Sequence, residues 1–193
     1  MPCVQPRALL AFAAALVATV APAPAAAGEL QLDGRAHLKA STWRGDYAGG
    51  GQIRFGYRFV KIIAVDLAIW EELASVATPL NTGLTAGVTA AIPLDGVRPT
   101  LRVYAIHQHE EPLISVAEAP LGVVFGLGDG IRHRAGGGAA LGLEIPFHKR
   151  GDLELVALPT LSATLFSEDA LGPRAYFGVA GGIGFNYGVA GLP

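Results

Sequence analysis

Cysteine, lysine and long uninterrupted apolar runs are scarce in this chain. The one cysteine is Cys3, and the lysines are Lys39, Lys61 and Lys149. We therefore expect neither a disulfide framework nor a thiol nucleophile. The formal net charge is −2 with charges of both signs intermixed. This balance lacks the basic stripe that a nucleic-acid-binding surface needs, so no nucleic-acid partner is expected.

The chain is apolar overall, with 51% hydrophobic residues and a mean hydropathy of +0.42. Even so, acidic residues such as Asp66, Glu118 and Glu144 interrupt every candidate for a helical membrane span after residue 27. A chain this apolar and this interrupted is unusual for a soluble domain. It is typical of a sheet that presents apolar side chains to lipid at alternate positions.

The first 27 residues predict a cleavable signal peptide. Arg7 lies in a short N-terminal region, residues 8–20 are apolar, and Ala25 and Ala27 stand at the third and first positions before Gly28. The apolar run is shorter than the roughly 20 residues that a helical span requires. We predict two units, the signal peptide 1–27 and one exported domain 28–193.

The chain after Gly28 alternates with period two, which is the pattern of a strand whose two faces meet different surroundings. From residue 29 to 40 every odd position is polar and every even position is apolar or small. The same alternation predicts eight strands, at residues 29–40, 52–59, 62–70, 83–92, 100–107, 135–145, 152–158 and 175–189.

The predicted connections alternate between long and short. The long ones are 41–51, 71–82, 108–134 and 159–174, and the short ones are 60–61, 93–99 and 146–151. Short turns at one end and long loops at the other are typical of an up-and-down transmembrane barrel with periplasmic turns. The fold class predicted is therefore all-β, an eight-stranded antiparallel up-and-down transmembrane β-barrel.

The alternative is a soluble, lipocalin-like periplasmic barrel, whose apolar face would point inward. The other face decides between them, because strands four, six and eight fill it with glycine and alanine. A water-facing surface has no need of such small residues, whereas a narrow lumen crowded by large side chains does. We expect this lumen to hold a charge network of Asp33, Arg35, Arg54, Arg58, Asp66, Arg102, Glu144 and Glu154.

Buried charges are tolerated when they are paired, and four of each sign permit pairing. We favour a salt-bridged, closed lumen, with a narrow ion channel as the alternative. This account requires Leu32, Val65 and Val88 to face outward while Arg54 and Glu144 face inward.

The chain resembles the small outer-membrane β-barrel proteins of the OmpX and OmpA-transmembrane-domain type. The likeness lies in the leader, in Phe55-Gly56-Tyr57-Arg58-Phe59 before a tight turn, and in the terminal strand from Tyr176 to Phe185. It implies a monomer in the outer membrane, in contact with outer-membrane lipid, lipopolysaccharide and the barrel insertion machinery. It also implies a structural, adhesive or ligand-interaction role through external loops, here 71–82 and 108–134.

A lipid A-modifying enzyme is the catalytic alternative, because the deacylase-like barrels place a His two residues before a nucleophilic Ser. Here His133 is followed by Ala135, which has no hydroxyl to activate. Ser115, Ser162 and Ser167 lie in predicted external loops and could replace it. We expect no enzyme activity, no catalytic residues and no cofactor.

Three histidines form the weak candidate for a metal site. His107 and His109 project to the same side of a strand, and His133 begins the next strand. Such a set suits zinc or copper, but histidines at a barrel rim also contact Arg132, Arg134, water or lipid head groups. We predict no metal, and name these three as the residues to examine.

Overall fold

The computed structural model describes residues 28–42, 46–59, 61–75, 79–112, 131–169 and 172–189. These residues form nine strand segments: β1 (Gly28–Ser41), β2 (Tyr47–Phe59), β3 (Ile63–Ala74), β4 (Pro79–Ala91), β5 (Arg98–Pro112), β6 (Arg132–Arg150), β7 (Leu153–Ala157), β8 (Thr160–Asp169) and β9 (Gly172–Val189). The predicted signal peptide and Ser115 lie outside the described residues. In the described part of the chain, no helix is long and apolar enough to cross a bilayer.

The strands form a closed ring. Each of β1 to β6 pairs antiparallel with the next strand, and β1 also pairs with β9. Both β7 and β8 lie between β6 and β9, so together they make one barrel strand in two segments. The prediction of an eight-stranded up-and-down antiparallel barrel is confirmed.

The seventh barrel strand is longer than predicted, because Pro159 interrupts it without ending it. Proline cannot donate to the ladder, which breaks the regular pairing. Its carbonyl still accepts a hydrogen bond of 3.0 Å from Leu143, and the chain continues along the same line as β8. Similarly, β6 passes through Pro146 with a register shift and ends at Arg150. Both prolines misled the prediction of strand ends.

All four loops predicted to be long are shortened by longer strands, and β2 already begins at Tyr47 within 41–51. Strands β3 and β4 occupy most of 71–82, β5 and β6 occupy both ends of 108–134, and β8 occupies much of 159–174. Ser162 and Ser167 therefore lie on a strand, not in an external loop as predicted. The apolar segment 113–127 falls outside the described residues.

The two faces of the barrel have the polarity that the alternation predicts. Large apolar side chains point outward and are exposed, as at Leu67, which is 65% exposed, and Val65. Arg54 and Glu144 face the lumen and are buried. The outward face carries an apolar band suited to acyl chains, and the inward face is polar. The aromatic residues Phe55, Phe147, Phe185 and Tyr187 are also exposed on the outer face.

The two ends of the barrel differ in their connections. The end that carries Gly28 and Val189 also carries the turns 61–62, 92–97 and 151–152. In these turns Lys61, Gly96 and Gly151 have left-handed φ values of 64°, 76° and 59°. We call this the turn end. The opposite end, which carries the long connection 113–131 between β5 and β6, is the loop end.

Candidate functional site

The lumen holds all eight of the charged residues that the sequence singled out, and each takes part in an ion pair. They belong to two layers. The central network consists of Asp33, Arg35, Arg54, Asp66 and Arg102. The lower network, nearer the turn end, consists of Glu29, Arg58, Arg98, Glu144 and Glu154.

Asp33 and Asp66 organise the central network. The Asp33 carboxylate lies 2.6 Å from Nε of Arg54 and 2.7 Å from Nε of Arg35. Asp66 pairs with Arg102 through both oxygens and accepts a 3.0 Å hydrogen bond from Thr89. Two carboxylates thus bind three guanidinium groups, and Arg54 at 3.7 Å from Asp66 connects the two halves.

Glu144 joins the two arginines of the lower network. It pairs with Arg58, and one of its oxygens lies 3.2 Å from Nε of Arg98. Arg58 also binds Glu29 at 2.8 Å, and Arg98 pairs with Glu154. The lower network therefore carries one excess negative charge and the central network one excess positive charge. Together they hold five arginines and five carboxylates, so the ten formal charges cancel.

Glu29 and Arg98 belong to this network although the sequence analysis did not include them. Glu29 shares the odd-position face of β1 with Asp33 and Arg35, and Arg98 shares the even-position face of β5 with Arg102. The odd or even position of each residue in its strand was the sequence signal that could have assigned both residues to the lumen. Arg98 was missed because it was placed in a turn, whereas β5 begins at that residue.

A third group of charges surrounds Trp70 farther toward the loop end. The Glu72 carboxylate lies 2.8 Å from the Lys39 ammonium and 2.9 Å from Nε2 of His37. It also accepts a 3.3 Å hydrogen bond from the Asn81 side-chain amide. The Lys39 ammonium also lies 3.9 Å from the centre of the Trp70 ring. This arrangement combines an ion pair with a cation–π contact.

Aromatic side chains fill the lumen between these polar groups, which the sequence analysis did not predict. The buried apolar cluster contains Trp70, Tyr104, Ile106, Ala140, Phe166 and Tyr176. Its two tyrosine hydroxyls are bonded, Tyr104 to Thr164 at 2.7 Å and Tyr176 to Asp46 at 3.3 Å. The alternation alone could have placed these residues inward, but aromatics are also frequent on outward faces.

Glycine faces the largest side chains. A Cβ at Gly87 would lie 2.8 Å from Nε of Arg102, and one at Gly83 would overlap the Trp70 ring. One at Gly138 would lie 2.5 Å from the Tyr104 ring. The small residues on the inner face therefore make room for arginine and for aromatic rings.

Two cavities inside the described part of the lumen are small. One cavity of about 20 Å³ lies between the two networks, lined by residues that include Arg54, Arg102 and Glu144. Another, of about 50 Å³, lies toward the loop end beside Arg35, Trp70 and Tyr104. A single water needs roughly 10–15 Å³ of such volume. Each cavity therefore accommodates one or a few waters and no hydrated ion.

The three candidate histidines lie together on the outer face at the loop end. His109 is directly opposite His133 in the register of β5 and β6, and His107 lies two residues before His109. Their ligand atoms all lie within 4.8 Å of one another. Arg134, which the sequence analysis considered as a neighbour, instead points into the lumen and binds Glu110 at 2.6 Å.

Two of the serines considered as nucleophiles, Ser162 and Ser167, make no contact with His133 in the described part of the chain. Within the described residues, its hydrogen bond is to His107, with 3.4 Å between Nδ1 and Nε2. Ser162 lines the lumen cavity near Tyr104, and Ser167 is exposed on β8. The described residues thus bring no serine into hydrogen-bonding distance of this imidazole.

Comparison with known proteins supports the architecture. No protein-family model and no curated protein matches this chain. Among solved structures, the N-terminal β-barrel domain of Pseudomonas aeruginosa OprF matches with a TM-score of 0.52 and 19% identity, over 81% of this chain and 97% of that domain. Neisserial surface protein A matches with a TM-score of 0.53 and 14% identity, over 84% of this chain and 97% of that protein. The chain has the fold of the small eight-stranded outer-membrane β-barrels.

Proposed function

We propose that this protein is a monomeric outer-membrane barrel that does not conduct ions and acts through its loop end in a structural, adhesive or ligand-binding role. The observation that carries the proposal is the ion-paired lumen, in which five arginines and five carboxylates pair across the barrel. The outward apolar band supports insertion into a bilayer, with outer-membrane lipid and lipopolysaccharide as its surroundings.

The energetics of the lumen favour closure. A conducting path would require ion pairs such as Arg58 with Glu144 to separate, and both side chains are almost fully buried. Breaking a buried pair by removing one partner costs roughly 3–5 kcal/mol. Water competes poorly for such groups, because the adjoining cavity has a volume of only about 20 Å³. The lumen is therefore suited to rigidity and poorly suited to transport.

The strand lengths support a role at the loop end. β6 has 19 residues and β9 has 18. A transmembrane strand needs about 9–11 residues, so these strands extend well beyond the hydrocarbon layer. Part of this excess projects at the loop end, where β5 and β6 are still paired at Glu110 and Arg132. Under this proposal the projecting wall and the connection 113–131 meet external ligands, and periplasmic insertion machinery delivers the chain.

The proposal includes no catalytic step. Ala135 lacks a hydroxyl where the deacylase-like pattern requires one. An assay of lipid A by mass spectrometry, with and without the protein, tests this part. Deacylated lipid A that appears only with the protein would contradict it.

Planar-bilayer recording tests the closed lumen. The protein is first shown to fractionate with outer membranes and to migrate differently on gels before and after boiling. We expect the folded protein to produce no steady current steps. An Arg54→Ala/Arg102→Ala variant, which removes two guanidinium groups from the centre, serves as the positive control, and Lys61→Ala in an exposed turn as the matched silent control. Regular ohmic steps from the unmodified protein would refute the proposal.

A further inference from the structure

The outer face at the loop end concentrates nitrogen ligands on two neighbouring strands. His109 of β5 and His133 of β6 are register partners, and His107 is on the same face of β5. The apolar positions Leu101 and Val103 precede His107 on that face and are exposed. The histidines therefore lie past the apolar band of β5, on the part of the wall that projects at the loop end.

The ring geometry is close to that of a metal site. The centroids of His107 and His109 are 4.8 Å apart, those of His109 and His133 4.8 Å, and those of His107 and His133 5.5 Å. Nδ1 of His133 is 3.4 Å from Nε2 of His107. Two nitrogens bound to one tetrahedral zinc at about 2.0–2.1 Å are themselves about 3.4 Å apart. The nitrogens of His107 and His133 already have the required spacing. Small side-chain rotations would bring a nitrogen of His109, now within 4.8 Å of the other two, into the same site.

Independent evidence comes from buried polar atoms around the cluster. His109 is 5% exposed, Thr82 1% and Glu111 0%. Among the described residues, Nδ1 of His109, Oγ1 of Thr82 and both carboxylate oxygens of Glu111 have no hydrogen-bond partner. A buried carboxylate without a partner costs several kcal/mol. A nearby cation would remove that cost.

The register explains why these groups meet. Thr82 of β4 is opposite His109, and Glu71 of β3 is opposite Thr82, so Glu71, Thr82, His109 and His133 form one row across four strands. Glu111 lies two residues after His109 on the same face. Three neutral imidazoles bring no charge, and the two acidic residues supply the negative charge that balances a divalent ion.

We propose that His107, His109 and His133 form a binding site for one divalent transition-metal ion such as Zn²⁺ on the outer face at the loop end, with Glu111 as the neighbouring carboxylate. Imidazole nitrogen suits zinc, copper and nickel, and a three-histidine site leaves a position for water or an external ligand. Bound metal would also join β5 to β6 on either side of the connection 113–131.

Calorimetric titration with ZnCl₂ tests this site. The full mature protein is folded in detergent micelles, purified without a polyhistidine tag, treated with EDTA and dialysed. We expect saturable binding of one zinc ion per barrel, weakened at least tenfold by His107→Ala, His109→Ala or His133→Ala. His148→Ala is the matched control, because His148 is exposed on β6 near the turn end, and it should bind as the unmodified protein does.

Two readouts keep the result decisive. Heat-modifiable gel mobility shows which variants have folded, and X-ray absorption of the zinc-loaded unmodified protein reports its ligands without any substitution. We expect scattering from three imidazoles. The inference is overturned if the unmodified protein shows no saturable zinc binding, if folded variants of the three histidines bind as tightly as it does, or if the spectrum shows fewer than three imidazoles.

Discussion

Removing the carboxylate of Asp66 should destabilise the barrel strongly. Its side chain is fully buried, binds Arg102 through both oxygens and also faces Arg54. Removing one partner of a buried pair costs roughly 3–5 kcal/mol. Arg54 retains Asp33, so the loss in Asp66→Ala falls mainly on Arg102, which retains a 2.9 Å hydrogen bond to Thr85. The adjoining cavity of about 20 Å³ can also admit a water.

These compensations place the expected loss of unfolding free energy near 3 kcal/mol, the lower part of that range. Reversible urea titration of the protein in phospholipid vesicles measures it. Asp95→Ala is the matched control, because Asp95 is an exposed carboxylate in the turn between β4 and β5, and it should change stability by less than about 0.5 kcal/mol.

A double-mutant cycle separates the ion pair from simple loss of packing. In Asp66→Leu/Arg102→Met both charges are removed, which leaves four arginines and four carboxylates in the two networks. We expect the unfolding free energy of the double variant to fall by at least about 1 kcal/mol less than the sum of the losses in Asp66→Leu and Arg102→Met. A cost below about 1 kcal/mol for Asp66→Ala, or additive single effects, would refute the account of the lumen as a paired, closed interior.

Two further predictions test packing and sidedness. Gly83→Ala should lower the unfolding free energy by about 1–3 kcal/mol, because its Cβ would overlap the Trp70 ring. Gly181→Ala, on the open outer face, should be neutral or slightly stabilising. Equal urea midpoints for the two variants would contradict this prediction. In a Trp43→Phe background, brominated lipids should leave Trp70 emission nearly unquenched, since that ring faces the lumen at 3% exposure. Leu67→Trp, placed on the outer face of a variant lacking both native tryptophans, should be strongly quenched, and equal quenching of the two would disprove the assigned orientation.

The inward or outward direction of each side chain was predictable because it depends on local alternation. Asp33, Arg54 and Asp66 could be assigned to the lumen from parity and from the small residues on the same face. The turn at Asp95 and Gly96 was also predictable, since these residue types favour chain reversal. Strand ends were less predictable, because Pro146 and Pro159 weaken pairing locally while the ladder on either side continues the strand.

The sequence by itself determined that this chain forms strands with one lipid-compatible face and one charged face, because a period of two is a property of consecutive residues. Only the tertiary structure decided which charges pair and where the histidines meet. Arg58 and Glu144 are 86 residues apart and come together because the barrel closes. His109 and His133 meet because the register of β5 and β6 makes them opposite. Register is fixed by the whole closed ring of hydrogen bonds, and no single strand contains that information.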